Sequence, residues 1–217
     1  MRQASIRVTA LCGYPSWDPE ERKFRKIDWT ARYLVKALKE DMGALSRSYV
    51  MLGKPPQRFD HTNYKRLHEA FFKWGAQRIS EMNVINPVVV AVPNSDAIAG
   101  SSDYPTKRFA EGIAAAYGPG CQAFSGLRFS EVMPKSHLNG GRDKSRLYQK
   151  MVLTEDYPGG TPILFDDVCT SGAHLFAAQR RLEPWLAEYA LVGGKTFNDP
   201  PEKMLNIDPV EITTIWR

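Results

Sequence analysis

Asp166 and Asp167 stand side by side at the end of an apolar run, Ile163-Leu164-Phe165, and Val168-Cys169-Thr170-Ser171-Gly172-Ala173-His174 follows. The apolar run reads as a buried strand, Thr170 to Ala173 as a tight turn, and the pattern from Leu175 onward as a helix. A turn that opens a helix offers consecutive backbone N–H groups and the positive end of the helix dipole. With the hydroxyls of Thr170 and Ser171 added, that combination suits a phosphate monoester. Two carboxylates at the carboxyl end of a strand can accept hydrogen bonds from a sugar diol or approach a magnesium ion. The same residues would also serve as an ordinary strand, turn and capped helix.

The segment resembles the phosphoribosyl diphosphate-binding motif of the type I phosphoribosyltransferases. That motif runs from an apolar strand through two acidic residues and two mostly apolar residues to Thr-Thr-Gly-x-Thr. Asp166 to His174 follow its order and depart from it at the last position, where His174 replaces a hydroxyl residue. The resemblance implies an α/β fold, with a central, mostly parallel sheet flanked by helices and a small hood. It implies one domain over residues 1–217, with the first ~60 and last ~20 residues forming the hood or accessory elements. It also implies a magnesium-dependent transfer of the phosphoribosyl group from 5-phosphoribosyl 1-diphosphate to an acceptor that the sequence does not specify. Thr170, Ser171, Gly172, Ala173 and His174 would then hold the 5′-phosphate. Asp166 and Asp167 would hold the ribose hydroxyls and the Mg2+, and diphosphate would leave. A nucleotide monophosphate would fit the same groups.

These residues need a frame. Pro87 to Val92 form a continuous β-branched run that suits a central parallel strand covered on both faces. It ends at Pro93-Asn94-Ser95-Asp96, a second turn at a strand tip. The resemblance gives Asn94, Ser95 and Asp96 the diphosphate, whereas the residues alone are as well read as a capped strand-to-helix turn. Thr106 can cap a helix carrying Phe109, Ile113 and Ala116, with Gly118 as its stop. The resemblance makes Arg108, near the start of that helix, a candidate phosphate contact, whereas the residue alone reads as a helix-surface arginine.

Between residues 127 and 150 stand Arg128, Lys135, Arg142, Lys144, Arg146 and Lys150 against Glu131 and Asp143, with Pro134, Gly140 and Gly141 among them. The composition reads as a mobile basic loop that closes over an anionic substrate. The order Met133-Pro134-Lys135, Arg146, Met151-Val152-Leu153 is loosely similar to the competence-protein-F branch of the family. It makes Lys135 and Arg146 the first diphosphate cations and Arg142 the third.

Elsewhere, Ile6 to Leu11 and Tyr189 to Gly194 read as strands, and Val210 to Trp216 as a final edge strand. Helices are expected after Asp28, with Gly43 beyond its end, and from about Thr62 to Met82. Lys195-Thr196-Phe197 is expected in the hood. His61 and His68 are expected on a solvated helix face.

The 217 residues are 43% hydrophobic and 24% charged, an ordinary globular composition with room for one sizeable core. Three widely spaced cysteines, Cys12, Cys121 and Cys169, fit neither a disulfide framework nor a zinc set and point to the cytoplasm. No apolar run spans a membrane. A net charge of +5 favours anionic ligands and permits nucleic acid. Two other classes therefore stand beside the enzyme. One is a nucleotide-binding regulator on the same fold, of the kind associated with anti-phage or retron systems. The other is an accessory protein that binds nucleic acid through the basic loop. A homodimer or a protein complex is compatible with each.

Overall fold

The computed structural model describes residues 2–18, 20–41, 43, 50–52, 57–134 and 143–216. A six-stranded sheet runs through it in the order β10-β1-β9-β8-β4-β5. Its strands are β1 (Arg2–Pro15), β4 (Pro87–Ala91), β5 (Gln122–Phe124), β8 (Thr161–Cys169), β9 (Tyr189–Phe197) and β10 (Leu205–Trp216). Five are parallel; β10 alone is antiparallel, on β1. Two hairpins stand apart, β2 (Val50–Leu52) with β3 (Gln57–Phe59) and β6 (Leu127–Phe129) with β7 (Met151–Leu153). The helices are α1 (Lys26–Leu38), α2 (Tyr64–Met82), α3 (Pro105–Tyr117), α4 (Lys144–Lys150) and α5 (Ala173–Arg181). No helix among the described residues is long and apolar enough to cross a membrane.

The unbroken apolar runs of β4, β8 and β9 follow from burial on both faces. Side chains alternate across the sheet. Val88, Val90, Val92, Leu164, Ala190 and Val192 pack with Leu147 of α4 and with Leu175, Phe176 and Ala178 of α5. Val89, Ala91, Ile163, Phe165 and Leu191 pack on the other side with Phe71 and Ile79 of α2, Phe109 and Ile113 of α3, and Leu38. Chain leaving β4 passes through α3 to β5, while chain leaving β8 passes through α5 to β9 on the opposite side. Strand order therefore reverses between β4 and β8, where the Val92 N–H donates to the Phe165 carbonyl at 2.9 Å. A crevice at the carboxyl ends of two such strands is the usual ligand place in an open α/β sheet.

Helix α1 lies close against the carboxyl half of β9 because Gly193 and Gly194 carry no side chains. A Cβ on Gly194 would stand 2.7 Å from Val35 Cγ2, and one on Gly193 would stand 2.8 Å from Leu38 Cδ1 and from the Asp167 carbonyl. The helix begins two residues before Asp28, whose carboxylate accepts the Arg25 N–H at 2.7 Å from the third helical position. Thr106 likewise does not cap α3. It is the second residue of that helix, and its hydroxyl donates to the Val92 carbonyl at 2.6 Å, tying α3 to the end of β4. His68 is buried on α2, with Nε2 donating to the Ala37 carbonyl at 3.0 Å, so it belongs to the packing between helices and not to a solvated face.

The first and last strands are longer than their alternation suggests, and both join the main sheet. β1 pairs with β9 and β10 pairs with β1. Lys195, Thr196 and Phe197 end β9 beside Gly13 to Pro15. The described part of the 127–150 stretch is a hairpin stem and a helix. Residues 135–142 lie outside the described residues.

Gly194→Val should push α1 off β9 and destabilise the protein by about 1–3 kcal/mol. The urea midpoint should fall while the slope of the transition stays unchanged; a midpoint equal to wild type would show that α1 does not need this approach.

Candidate functional site

At the tip of β8, Asp166 points inward. It is 7% exposed, and its Oδ1 accepts the N–H of Asp167 at 2.8 Å. Burial, reinforced by the neighbouring Asp167 charge, holds its carboxyl well above the usual carboxylate range. Asp167 is half-buried, and its Oδ2 lies 3.1 Å from Lys39 Nζ. Lys39 is the residue on which α1 ends, where a cation also meets the negative end of the helix dipole. Burial works against its ammonium, but Asp167, with Asp166 and Tyr14 behind it, more than offsets that and raises its pKa. Asp167 also lines a narrow cleft of about 10 Å³ with Leu38, Thr106, Phe109, Phe165 and Gly193.

The turn after β8 is set by Gly172, whose φ of 77° lies in the left-handed region. A Cβ there would also meet Ile212 Cδ1 at 2.5 Å. Helix α5 starts at the next residue, and its first backbone bond runs from the Phe176 N–H to the Gly172 carbonyl at 2.9 Å. The N–H groups of Ala173, His174 and Leu175 precede that bond, so the helix itself gives them no partner. Ser171 is exposed and Thr170 half-buried, while Gly172 and Ala173 are buried. From the β9 side, Lys195 Nζ donates to the Thr170 carbonyl at 3.3 Å, and the Thr196 hydroxyl donates to the Cys169 carbonyl at 3.4 Å. His174 is half-buried, with the Phe129 ring centroid 6.1 Å from its own. Burial lowers its pKa against the pull of Asp167. Cys169 is buried, which pushes its thiol up to about 11 despite Lys195 nearby. It is a packing residue and not an activated thiol.

At the tip of β4, Asn94 accepts the Ala97 N–H at 2.9 Å and Ser95 accepts the Met133 N–H at 3.0 Å through their backbone carbonyls, and Asp96 is exposed. The side-chain Oδ1 of Asn94 is buried and has no hydrogen-bond partner among the described residues. A buried acceptor left unpaired is costly and rare, and this one stands beside the strand reversal. The structure thus gathers Asp166, Asp167, the Thr170–His174 turn and the Asn94–Asp96 turn at neighbouring strand tips.

The cations assigned from sequence fare differently. Arg108 is held by Glu40 at 2.7 Å and by Asp103, so its guanidinium braces the end of α1. Arg146 is exposed on α4, a helix docked against the far end of α5. There Tyr148 lies under Arg180 and Arg181 and beside Trp216, and Lys144 reaches the Ile215 carbonyl. Nine residues of α5 separate that end from the turn, roughly 13 Å of helix. Among the described residues, no side-chain contact ties Arg146 to the tip. Arg128 is buried under Tyr104, and Lys150 pairs with Glu131. Lys135 and Arg142 lie outside the described residues. Sequence reading missed Lys39; the pair Gly193-Gly194 was the available signal, since it marks where a helix comes down on the sheet.

A cavity of about 280 Å³ exists at the other end of the sheet, lined by Arg2, Ser5, Gln179, Arg180, Glu188 and Trp216 among others. It is the roomier space, but it lies away from the strand reversal and from the twin aspartates.

The raised carboxyl of Asp166 has a consequence for stability. A group whose folded pKa lies above its unfolded value stabilises below the unfolded value and loses that contribution as pH rises through the folded one. Asp166→Asn should therefore raise the melting temperature at pH 8 by ~2 °C or more, with the difference from wild type shrinking toward pH 4. A pH-independent difference would show that Asp166 is not held protonated by its surroundings.

Comparison of the chain with protein-family models and with curated proteins finds no match.

Proposed function

We propose that this protein is a phosphoribosyltransferase of the type I fold that takes 5-phosphoribosyl 1-diphosphate at the β4–β8 reversal. The observation that carries the reading is the continuity of β8, its twin aspartates, the left-handed Gly172 and the first turn of α5. One peptide segment there offers both a diol-reading pair and unpaired amides for a phosphate. The N–H groups of Ala173 and His174 and the hydroxyls of Thr170 and Ser171 receive the 5′-phosphate. Asp166 and Asp167 hydrogen-bond to the ribose hydroxyls. The Asn94 side chain accepts from a donor arriving at the neighbouring tip.

In the reaction, the bond from C1′ to the diphosphate oxygen breaks and its electron pair leaves with the diphosphate. A lone pair of the acceptor then closes on C1′. The transition state resembles an oxocarbenium ion, so the work of the chain is positioning and charge stabilisation, with no covalent step at a side chain. Asp166 and Asp167 are the kind of oxygen donors a magnesium ion takes one or two of, with water and substrate oxygens completing the shell. Magnesium held there would supply positive charge against the departing diphosphate. The cations expected from the 127–150 segment are Lys135 and Arg142.

Calorimetry with 5-phosphoribosyl 1-diphosphate and magnesium tests the reading directly. Wild type should bind, and Asp167→Asn should bind about tenfold to a hundredfold more weakly, as loss of a charged hydrogen bond costs about 1.5–3 kcal/mol, with its melting temperature little changed. No heat of binding with wild type, or an unaltered isotherm with the variant, would reject the site.

A further inference from the structure

We propose that Lys39 is part of the ligand-binding surface and that its ammonium donates to the ribose hydroxyls beside Asp167. The inference rests on the reading of the β8 tip as a phosphosugar site and adds a residue from α1 to it.

Three observations separate Lys39 from a surface lysine that happens to meet a carboxylate. First, its Nζ lies 3.1 Å from Oδ2 of Asp167, on the group proposed to read the sugar. Second, the helix that delivers it is seated on backbone: Val35 rests on Gly194 and Leu38 on Gly193, with no side chain between. Third, the end of that helix is fixed on all sides. His68 Nε2 donates to the Ala37 carbonyl at 3.0 Å. Glu40 turns the chain away in the left-handed region with a φ of 55°, and Arg108 grips Glu40 at 2.7 Å. A non-glycine residue in that conformation persists only where its surroundings hold it.

The chemistry suits a vicinal diol. Each ribose hydroxyl can both donate and accept, and an ammonium beside a carboxylate offers three donors next to an acceptor. The ion pair therefore meets both capacities of a hydroxyl at one place. The chain thus brings a cation of its own to the sugar end.

Ribose 5-phosphate is the probe, titrated calorimetrically in EDTA, with inorganic phosphate as the control ligand. Wild type should bind ribose 5-phosphate, Lys39→Met about tenfold to a hundredfold more weakly, and Lys39→Arg within a few-fold of wild type. Affinity for inorganic phosphate should be the same in all three. An unchanged isotherm for Lys39→Met, while wild type binds, would overturn the role of Lys39 and leave the phosphosugar site standing. A loss in Lys39→Met that extends equally to inorganic phosphate would assign Lys39 a purely structural role. Absence of ribose 5-phosphate binding by wild type, with or without magnesium, would overturn both.

Discussion

The site depends on keeping one carboxyl group inside the protein next to another. Asp166 has little solvent, and its neighbour carries a like group. Nothing in packing alone favours that arrangement, because an apolar residue would bury at lower cost. The surroundings make it tolerable in three ways. Burial favours its protonated form, the Asp167 amide donates to it, and Lys39 pairs with Asp167. The result is a cluster of donors and acceptors gathered at a strand tip.

Around that cluster the fold makes two separate contributions. The reversal of strand order between β4 and β8 opens the space and aims the start of α5 at it. The glycine pair in β9 brings α1 down from the other direction, so that a residue far away in sequence completes the tip. His68, Glu40 and Arg108 belong to the second contribution, since all three hold the end of α1 and none touches the tip. The Asn94 Oδ1, without a partner among the described residues, belongs to the first.

Much of this was legible in the residues. The apolar run before Asp166, the Thr170–Ala173 turn and the β-branched run at Pro87 were each local, and each formed the expected element. Roles that depend on distant partners were not legible. Arg108 near a helix start suggests a phosphate contact, yet Glu40 is as close to it in space as it is remote in sequence. Arg146 sits in a basic stretch, but its helix is docked by the contacts of Tyr148 with Arg180, Arg181 and Trp216, which spacing along the chain does not reveal. Thr106 has the chemistry of a cap and instead bonds a strand carbonyl. His68 has a helical neighbourhood that looks solvated until α1 covers it.

The placement of β1 bears on how the chain acquires its shape. This strand precedes the other described strands in the sequence, yet both its partners follow them: Arg7 pairs with Tyr189 and Glu211, and Val8 with Ala190 and Val210. Pairings so distant must pay loop-closure entropy before they gain contacts, which slows folding. Until β9 appears, a long half-apolar strand is left with both edges bare. During synthesis that strand is the segment most in need of protection from association with other nascent chains.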